Sequence, residues 1–413
     1  MTVKDKEIRT IVLPIAEEIY KKFVIDNRLA KELINGLYEQ SPELFPITMS
    51  GGYQLNGRSR ISKKTGLQLR KIKIGGIVYR IRPSFILSYH RGRTDIASKG
   101  LFLLRFGVPF WALAFVLGKY AMWWYRLYIS LSQSSIVGTT VYNPYQLPEN
   151  LLADEHHIKI RGEKAYVATT AGEGCFLGMA VSSKADEASL QPAYGVFKEE
   201  AKAVNPDYEP LSVNTDGWTA TQNAWQKLFP SILVLECFLH AFLKVRDRAT
   251  KKLQAFFDTA GDKIWDCYRA CSIRQLAQQI RRLREWATHK VDDCPMRDNI
   301  LKLCKKKKRW VEHFKIPYAH RTSNMIDRLM RAMKRHAFNS QMFHFDVAST
   351  TKNFRAFALL YNFAPSCPAV IKKDPILSSP AARLNGFVYH ADWLQNLIIA
   401  ASAANFKRHR NPL

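Results

Sequence analysis

At 413 residues, 47% hydrophobic and 12% aromatic, the chain has room for about two or three domains and is too apolar to be mainly disordered. Its 62 Lys and Arg outnumber 35 Asp and Glu, leaving a net charge of +27. Such an excess captures polyanions, so nucleic acid is the expected partner and a membrane is not. Seven cysteines (175, 237, 267, 271, 294, 304 and 367) form no CxxC pair. That spacing argues against zinc and against a disulfide framework, and for reduced thiols in a cytoplasmic protein. Residues 1–7 lack the apolar run of a signal peptide, and the apolar stretch 101–118 is interrupted by Arg105, Gly107 and Pro109, which disfavours a spanning helix.

Residues 1–66 read as an N-terminal helical region and a linker. Ile8, Ile11, Val12, Ile15, Ile19 and Phe23 recur at helical spacing, Ser41-Pro42 marks a break, and 46–66 is Gly/Ser/Lys/Arg-rich without periodicity. Residues 67–148 read as a hairpin plus helices. The 69–82 stretch alternates on either side of Gly75-Gly76, two positions free to take positive φ. Residues 94–131 divide into short helices at Gly107-Val-Pro109 and Gly118-Lys119. Helix, glycine turn and a helix bearing Trp123, Trp124, Tyr125 and Arg126 is the order of a helix-turn-helix, with Lys119 and Arg126 as candidate DNA contacts. The same aromatics would equally suit the core of a plain helical bundle. Residues 142–148, with two prolines, read as a connection between domains.

From 149 to 413 the pattern changes. Three short strands (156–161, 164–170 and 175–181) precede a helix at 190–204, a strand at 211–215, a helix at 219–228 and an apolar run at 232–239. The expected class is α/β: a ribonuclease-H-like catalytic core with a mixed five-stranded sheet, preceded by a helical, helix-turn-helix DNA-binding region. Residues 241–320 carry no strand pattern and form an all-helical insertion. Across 241–340, 25 Lys and Arg face 10 Asp and Glu, and Lys305, Lys306, Lys307, Lys308 and Arg309 make the sharpest run. Beside Trp286 and Trp310 that run could grip a phosphate backbone, although a charge run is commonly just a solvated face.

Three aspartates fall where such a fold converges its acids: Asp154 near the first strand, Asp216 just beyond the fourth, Asp327 on a late helix. Grouped carboxylates can hold two Mg²⁺ or Mn²⁺ ions, the usual machinery for cutting and joining phosphodiesters. Each also has a local explanation. Asp154 suits a turn before a strand, Asp216 an Asx-turn with Gly217-Trp218, and Asp327 the third position of a helix capped by Asn324. Cys237 and His240 follow Asp216 by 21 and 24 residues. They are poor Mg²⁺ ligands; His240 suits a hydrogen bond near a carboxylate or the scissile phosphate, and the two residues equally suit a satisfied structural pair.

Thr215-Asp216-Gly217-Trp218, Leu228-Phe229-Pro230, Cys237-x-x-His240, the 322–328 segment with Asp327-Arg328, and the 357–365 run Phe-Ala-Leu-Leu-Tyr-Asn-Phe-Ala-Pro together resemble the mutator-like group of bacterial insertion-sequence transposases, over about 150–365. The resemblance implies a DNA transposase cleaving element ends and joining them to target DNA, with Asp154, Asp216 and Asp327 as metal ligands. It also implies His240 in a catalytic role, Cys237, Trp218 and Asn324 as structural neighbours, Arg328 on DNA, and a dimer or higher oligomer on paired ends in a prokaryotic, nucleoid-associated setting. The family's third acid is normally glutamate; the matching position here holds the shorter Asp327. A transposase-derived DNA-binding repressor, or a nuclease of the same fold, remain the alternatives.

Overall fold

In this computed structural model, residues 9–63, 65–87, 92–316, 318–322, 324–340, 343 and 346–406 are described. The leader-sequence expectation and Ile8, which fall within residues 1–8, and Ser323 of the late helix start lie outside them. The chain is mixed α/β, built on one four-stranded and one five-stranded sheet.

The first sheet is made by β1 (Thr10–Leu13), β2 (Tyr53–Arg58), β3 (Arg70–Ile74) and β4 (Ile77–Pro83), in the order β1-β4-β3-β2. Two expectations fail here. Ile11 and Val12 lie in a strand, not a helix: Thr-Ile-Val-Leu is β-branched, Pro14 ends it, and β1 pairs with β4 in parallel while burying both faces. The supposed linker holds β2, an edge strand whose polar, exposed residues and bulge after Leu55 hide it from any alternation. The hairpin is as expected, with Gly75 and Gly76 at φ +54° and +82°. Between β1 and β2, α1 (Glu17–Ile25) and α2 (Asn27–Gln40) pack on this sheet. Buried Arg70 donates to the carbonyls of Phe23, Val24 and Asp26, satisfying the end of α1 with a cation.

Three helices follow: α3 (Thr94–Arg105), α4 (Phe110–Leu117) and α5 (Ala121–Ser130), broken at the expected glycines, then the short α6 (Ile136–Thr140). Trp123, Trp124, Leu127 and Tyr128 of α5 are buried, so the core explanation of these aromatics holds and a recognition helix would lack them. Within residues 142–148, Tyr142 and Leu147 are buried.

The second sheet combines β5 (Asn150–Ile160), β6 (Glu163–Gly172) and β7 (Cys175–Ser182) as an antiparallel meander. After α7 (Glu187–Val204), β8 (Ser212–Thr215) joins β5 in parallel; after α8 (Thr219–Leu228), β9 (Leu233–Glu236) joins β8 in parallel. The order is β7-β6-β5-β8-β9. The apolar run at 232–239 therefore splits: its strand stops at Glu236, and α9 (Phe238–Arg246) starts with Cys237 as its N-cap. Next come α10 (Gln254–Arg269), α11 (Ile273–Lys290), α12 (Pro295–Lys305) and α13 (Lys307–Glu312), which share a hydrophobic core of their own with α9.

Helices α14 (Asn324–Asn339) and α15 (Val347–Phe363) cover the face of the meander opposite α7 and α8, in one core with α3 to α5. Asn362 of α15 closes the free edge of β7. Its side chain accepts from Phe176 N–H (2.9 Å) and donates to Phe176 C=O (2.7 Å) and Thr140 Oγ1 (2.9 Å). The chain ends in α16 (Pro368–Lys373), α17 (Pro380–Asn385) and α18 (Trp393–Ala403); Ser402 of α18 bonds the β1 backbone at Val12 and Thr10. Among the described residues no helix is long and apolar enough to cross a membrane.

Candidate functional site: an acid cluster at one end of the five-stranded sheet

Alternation along β5 separates two neighbouring acids. Asp154 lies mid-strand, not at a strand start, and shares a face with Leu152, Ile158 and Ile160, the face that α14 covers. Glu155 points the other way, under α7 and α8. There Tyr194 Oη (2.6 Å) and Thr221 Oγ1 (2.5 Å) both donate to its Oε1. Glu155 is thus a satisfied structural acid whose carboxyl is pushed up by burial.

Asp216 directly follows β8. Leu152 pairs with Asn214, so two more steps of the parallel register carry Asp216 alongside Asp154. Its Oδ1 accepts from Trp218 N–H at 2.9 Å, the Asx-turn expected from the sequence. The turn fixes the carboxylate rather than competing with a role for it. Gly217 between them is held at φ +92°, and a Cβ there would sit 2.8 Å from Glu236 Oε1. Both facts restrict the position to glycine.

His240 lies in the first turn of α9, whose start is tied beside Asp216 by Cys237 N–H donating to Thr215 C=O at 2.8 Å. Asp327 sits in the first turn of α14. Asn324 is the first residue of that helix rather than its cap, which moves Asp327 one place further in.

These groups feel one another. Asp154 is pushed up to about 7, first by burial and then by the charges of Glu155 and Asp216, with His240 pulling the other way. His240 is raised to about 9, first by its hydrogen bond with Cys237 and further by Asp154 and Asp327, against burial. Asp154, Asp216, His240 and Asp327 therefore lie near one another at one end of the sheet, with His240 bonded to Cys237. The carboxylates suit a hard divalent cation by type. Among the described residues, however, no three His, Cys, Asp or Glu side chains stand close enough together to hold one ion.

Two acids were missed in the sequence. Glu155 is one; Glu236 is the more informative. It ends β9 opposite Thr215, is 3% exposed, and bonds Lys306 and Arg309, the latter at 2.7 Å; His313 Nε2 lies 3.1 Å from its carbonyl oxygen. Two of the five cations in the 305–309 run thus turn inward to the acid end of the sheet, while Lys305, Lys307 and Lys308 stay exposed. Trp310 is buried, with its indole N–H on Leu303 C=O, so it does not line a DNA surface. Trp218 stands partly exposed beside Tyr166 (ring centroids 6.1 Å apart), and Arg328 is exposed next to Asp327. Arg126 and Lys119 are exposed too, with Lys119 over the Trp123 ring.

No protein-family model matches this chain, and no curated protein matches it.

Proposed function

We propose that the chain is a DNA transposase with a ribonuclease-H-like core, cleaving at element ends and transferring the freed strands to target DNA. The single observation that carries this is the convergence just described. Counted from its own first strand, the sheet runs 3-2-1-4-5; one acid sits on strand one, one past strand four and one on a late covering helix, with Asp154 within electrostatic reach of Asp216 and of a histidine that also feels Asp327. In this reading α9 to α13 form the helical insertion, and duplex DNA is the partner expected of a +27 chain.

Asp154 and Asp216 are the two acids that would share a Mg²⁺ or Mn²⁺, which would neutralise their mutual repulsion and supply the activation of a water or 3′-hydroxyl; Asp327 would have to draw closer than it stands here to serve as a third ligand. The rest is supplied by the chain. The Asx-turn fixes the orientation of Asp216. His240, held by its hydrogen bond with Cys237 and within reach of Asp154 and Asp327, would offer an N–H to a phosphate oxygen. Exposed Arg328, Lys305, Lys307 and Lys308 offer backbone contacts. Asp327, one carbon shorter than the family's glutamate, favours a second reading as a DNA-binding descendant without chemistry.

A supercoiled plasmid carrying the element's ends separates the readings. Metal-dependent nicking with strand transfer supports the transposase, nicking alone a nuclease, and binding alone the repressor. Asp216→Asn should abolish chemistry and leave DNA binding within a few-fold; full activity in that variant refutes the site.

A further inference from the structure

In the β5–β6 ladder His157 pairs with Tyr166, and Lys159 with Lys164. Alternation puts all four side chains on the face of Glu155, toward α7 and α8. The cover stops short of them. Glu155 is buried beneath Tyr194 and Thr221, whereas His157, Lys159 and Lys164 are exposed and Tyr166 partly so.

Trp218 completes this surface. Its ring lies 6.1 Å from that of Tyr166, which lies 4.9 Å from the His157 imidazole, the planes inclined by 58° and 76°. Trp218 N–H donates to Asp216 Oδ1, so one end of the row of rings is tied to the acid cluster. Neither Tyr166 nor Trp218 belongs to the cores on the two faces of the sheet. Burial is what ordinarily holds such large rings in place. Here they meet one another and keep part of their surface in solvent.

Charge narrows what can bind. Like charges directly opposite each other weaken a strand pair, yet two lysines stand so, and among the described residues no ion pair compensates either. The acids at the start of α7 are already engaged: Asp186 Oδ1 accepts from Ser189 N–H at 2.9 Å, and Glu187 bonds Asn223 and Lys227. Glu163 faces the other way with its partner Ile160. The row therefore suits a polyanion that also carries flat rings, with phosphates on the lysines and bases on the aromatics. A duplex keeps its bases stacked inside and offers this surface only phosphates. From Asp154 to Lys159 the strand covers roughly 16 Å, room for a few nucleotides.

We infer that the row His157, Tyr166 and Trp218, flanked by Lys159 and Lys164, is a docking surface for single-stranded DNA that leads an unpaired strand to or from the acid cluster. That DNA is the polymer rests on the proposed activity; the preference for unpaired bases rests on the rings.

Fluorescence anisotropy of the full chain with a labelled oligo-dT of ~12 nucleotides and a duplex of the same length, in EDTA at ~0.3 M NaCl, tests this. Oligo-dT should bind more tightly than the duplex. Tyr166→Leu and His157→Ala should each weaken oligo-dT binding by at least ~5-fold and leave duplex binding within ~2-fold, whereas Tyr166→Phe, which keeps the ring face, should bind like the wild type. His157→Ala, at an exposed position, should leave the circular dichroism spectrum and Tm unchanged, so its loss is one of binding. Lys159→Ala/Lys164→Ala should lower the salt slope for oligo-dT by about 1.4. A wild type that holds the duplex as tightly as oligo-dT overturns this docking surface. So does oligo-dT binding that survives both Tyr166→Leu and His157→Ala, or a Tyr166→Phe variant as weak as Tyr166→Leu. No metal is present, so a chain that prefers oligo-dT but never nicks plasmid loses the proposed chemistry and keeps the surface, and the converse result spares the chemistry.

Discussion

Removing the cations that hold Glu236 should cost more stability than removing Glu236 itself. The carboxylate is 3% exposed, whereas the side chains of Lys306 and Arg309 are 35% and 54% exposed. In Lys306→Met/Arg309→Met the acid stays buried with both side-chain cations gone, a situation that costs about 3–5 kcal/mol in full burial. The solvent that reaches the cations also reaches the acid's rim, so about 2–3 kcal/mol is the expected loss. In Glu236→Gln both cations can turn to water, leaving about 1 kcal/mol of lost hydrogen bonding. The triple variant should recover most of the difference, because no buried charge is left unpaired. Urea unfolding of the four proteins measures these values. Equal losses in the cation and acid variants, or a triple variant no better than the double, would refute the burial asymmetry.

Acid stability should depend on two buried histidines. His336, stacked on Phe357 and bonded to Asn353, and His313 are both pushed down to about 4, chiefly by burial. Between pH 4 and 6.5 the unfolded chain takes protons that the fold refuses, so stability should rise with pH across that window and level off above it, by at most about 3 kcal/mol per histidine. His336→Gln should flatten the slope measured by pH-dependent chemical unfolding, and an unchanged slope counts against it. Asn362→Leu removes three buried bonds at the β7 edge and should cost about 2–4 kcal/mol, with hydrogen exchange rising first at Phe176; no change at that amide contradicts the edge-closing role. Asp327→Glu should keep or raise nicking activity and Asp327→Asn should lower it at least ~10-fold; activity indifferent to Asn removes Asp327 from the site.

Much of this architecture is legible in local pattern. The three-strand meander, the later parallel strands and the helices between them follow from period-two and helical spacing, and Gly75-Gly76 marks its hairpin by turn chemistry. Strand β1 was hidden because Ile11, Val12 and Ile15 fit a helical template as well as a strand, and only pairing with β4 decides between them. Strand β2 was hidden because an exposed edge needs no apolar face. In the site, Asp216 could be read from its Asx-turn, but Glu236 could not. Its role depends on lying opposite Thr215 and on cations that arrive some 70 residues later in the chain. The aromatics of α5 misled in the opposite sense, because core packing and nucleic-acid stacking call for the same residue types.

The central claim, that Asp154 and Asp216 together form a divalent-cation site for phosphodiester chemistry, is tested most directly by Mn²⁺ binding measured by electron paramagnetic resonance. The wild type should bind Mn²⁺, with Mg²⁺ competing for the same site. Asp154→Asn and Asp216→Asn should each weaken binding by at least ~10-fold, while Glu155→Gln, whose carboxylate faces the opposite side of β5, should not. A wild type that binds no Mn²⁺, or binding that survives both aspartate substitutions, would contradict the account.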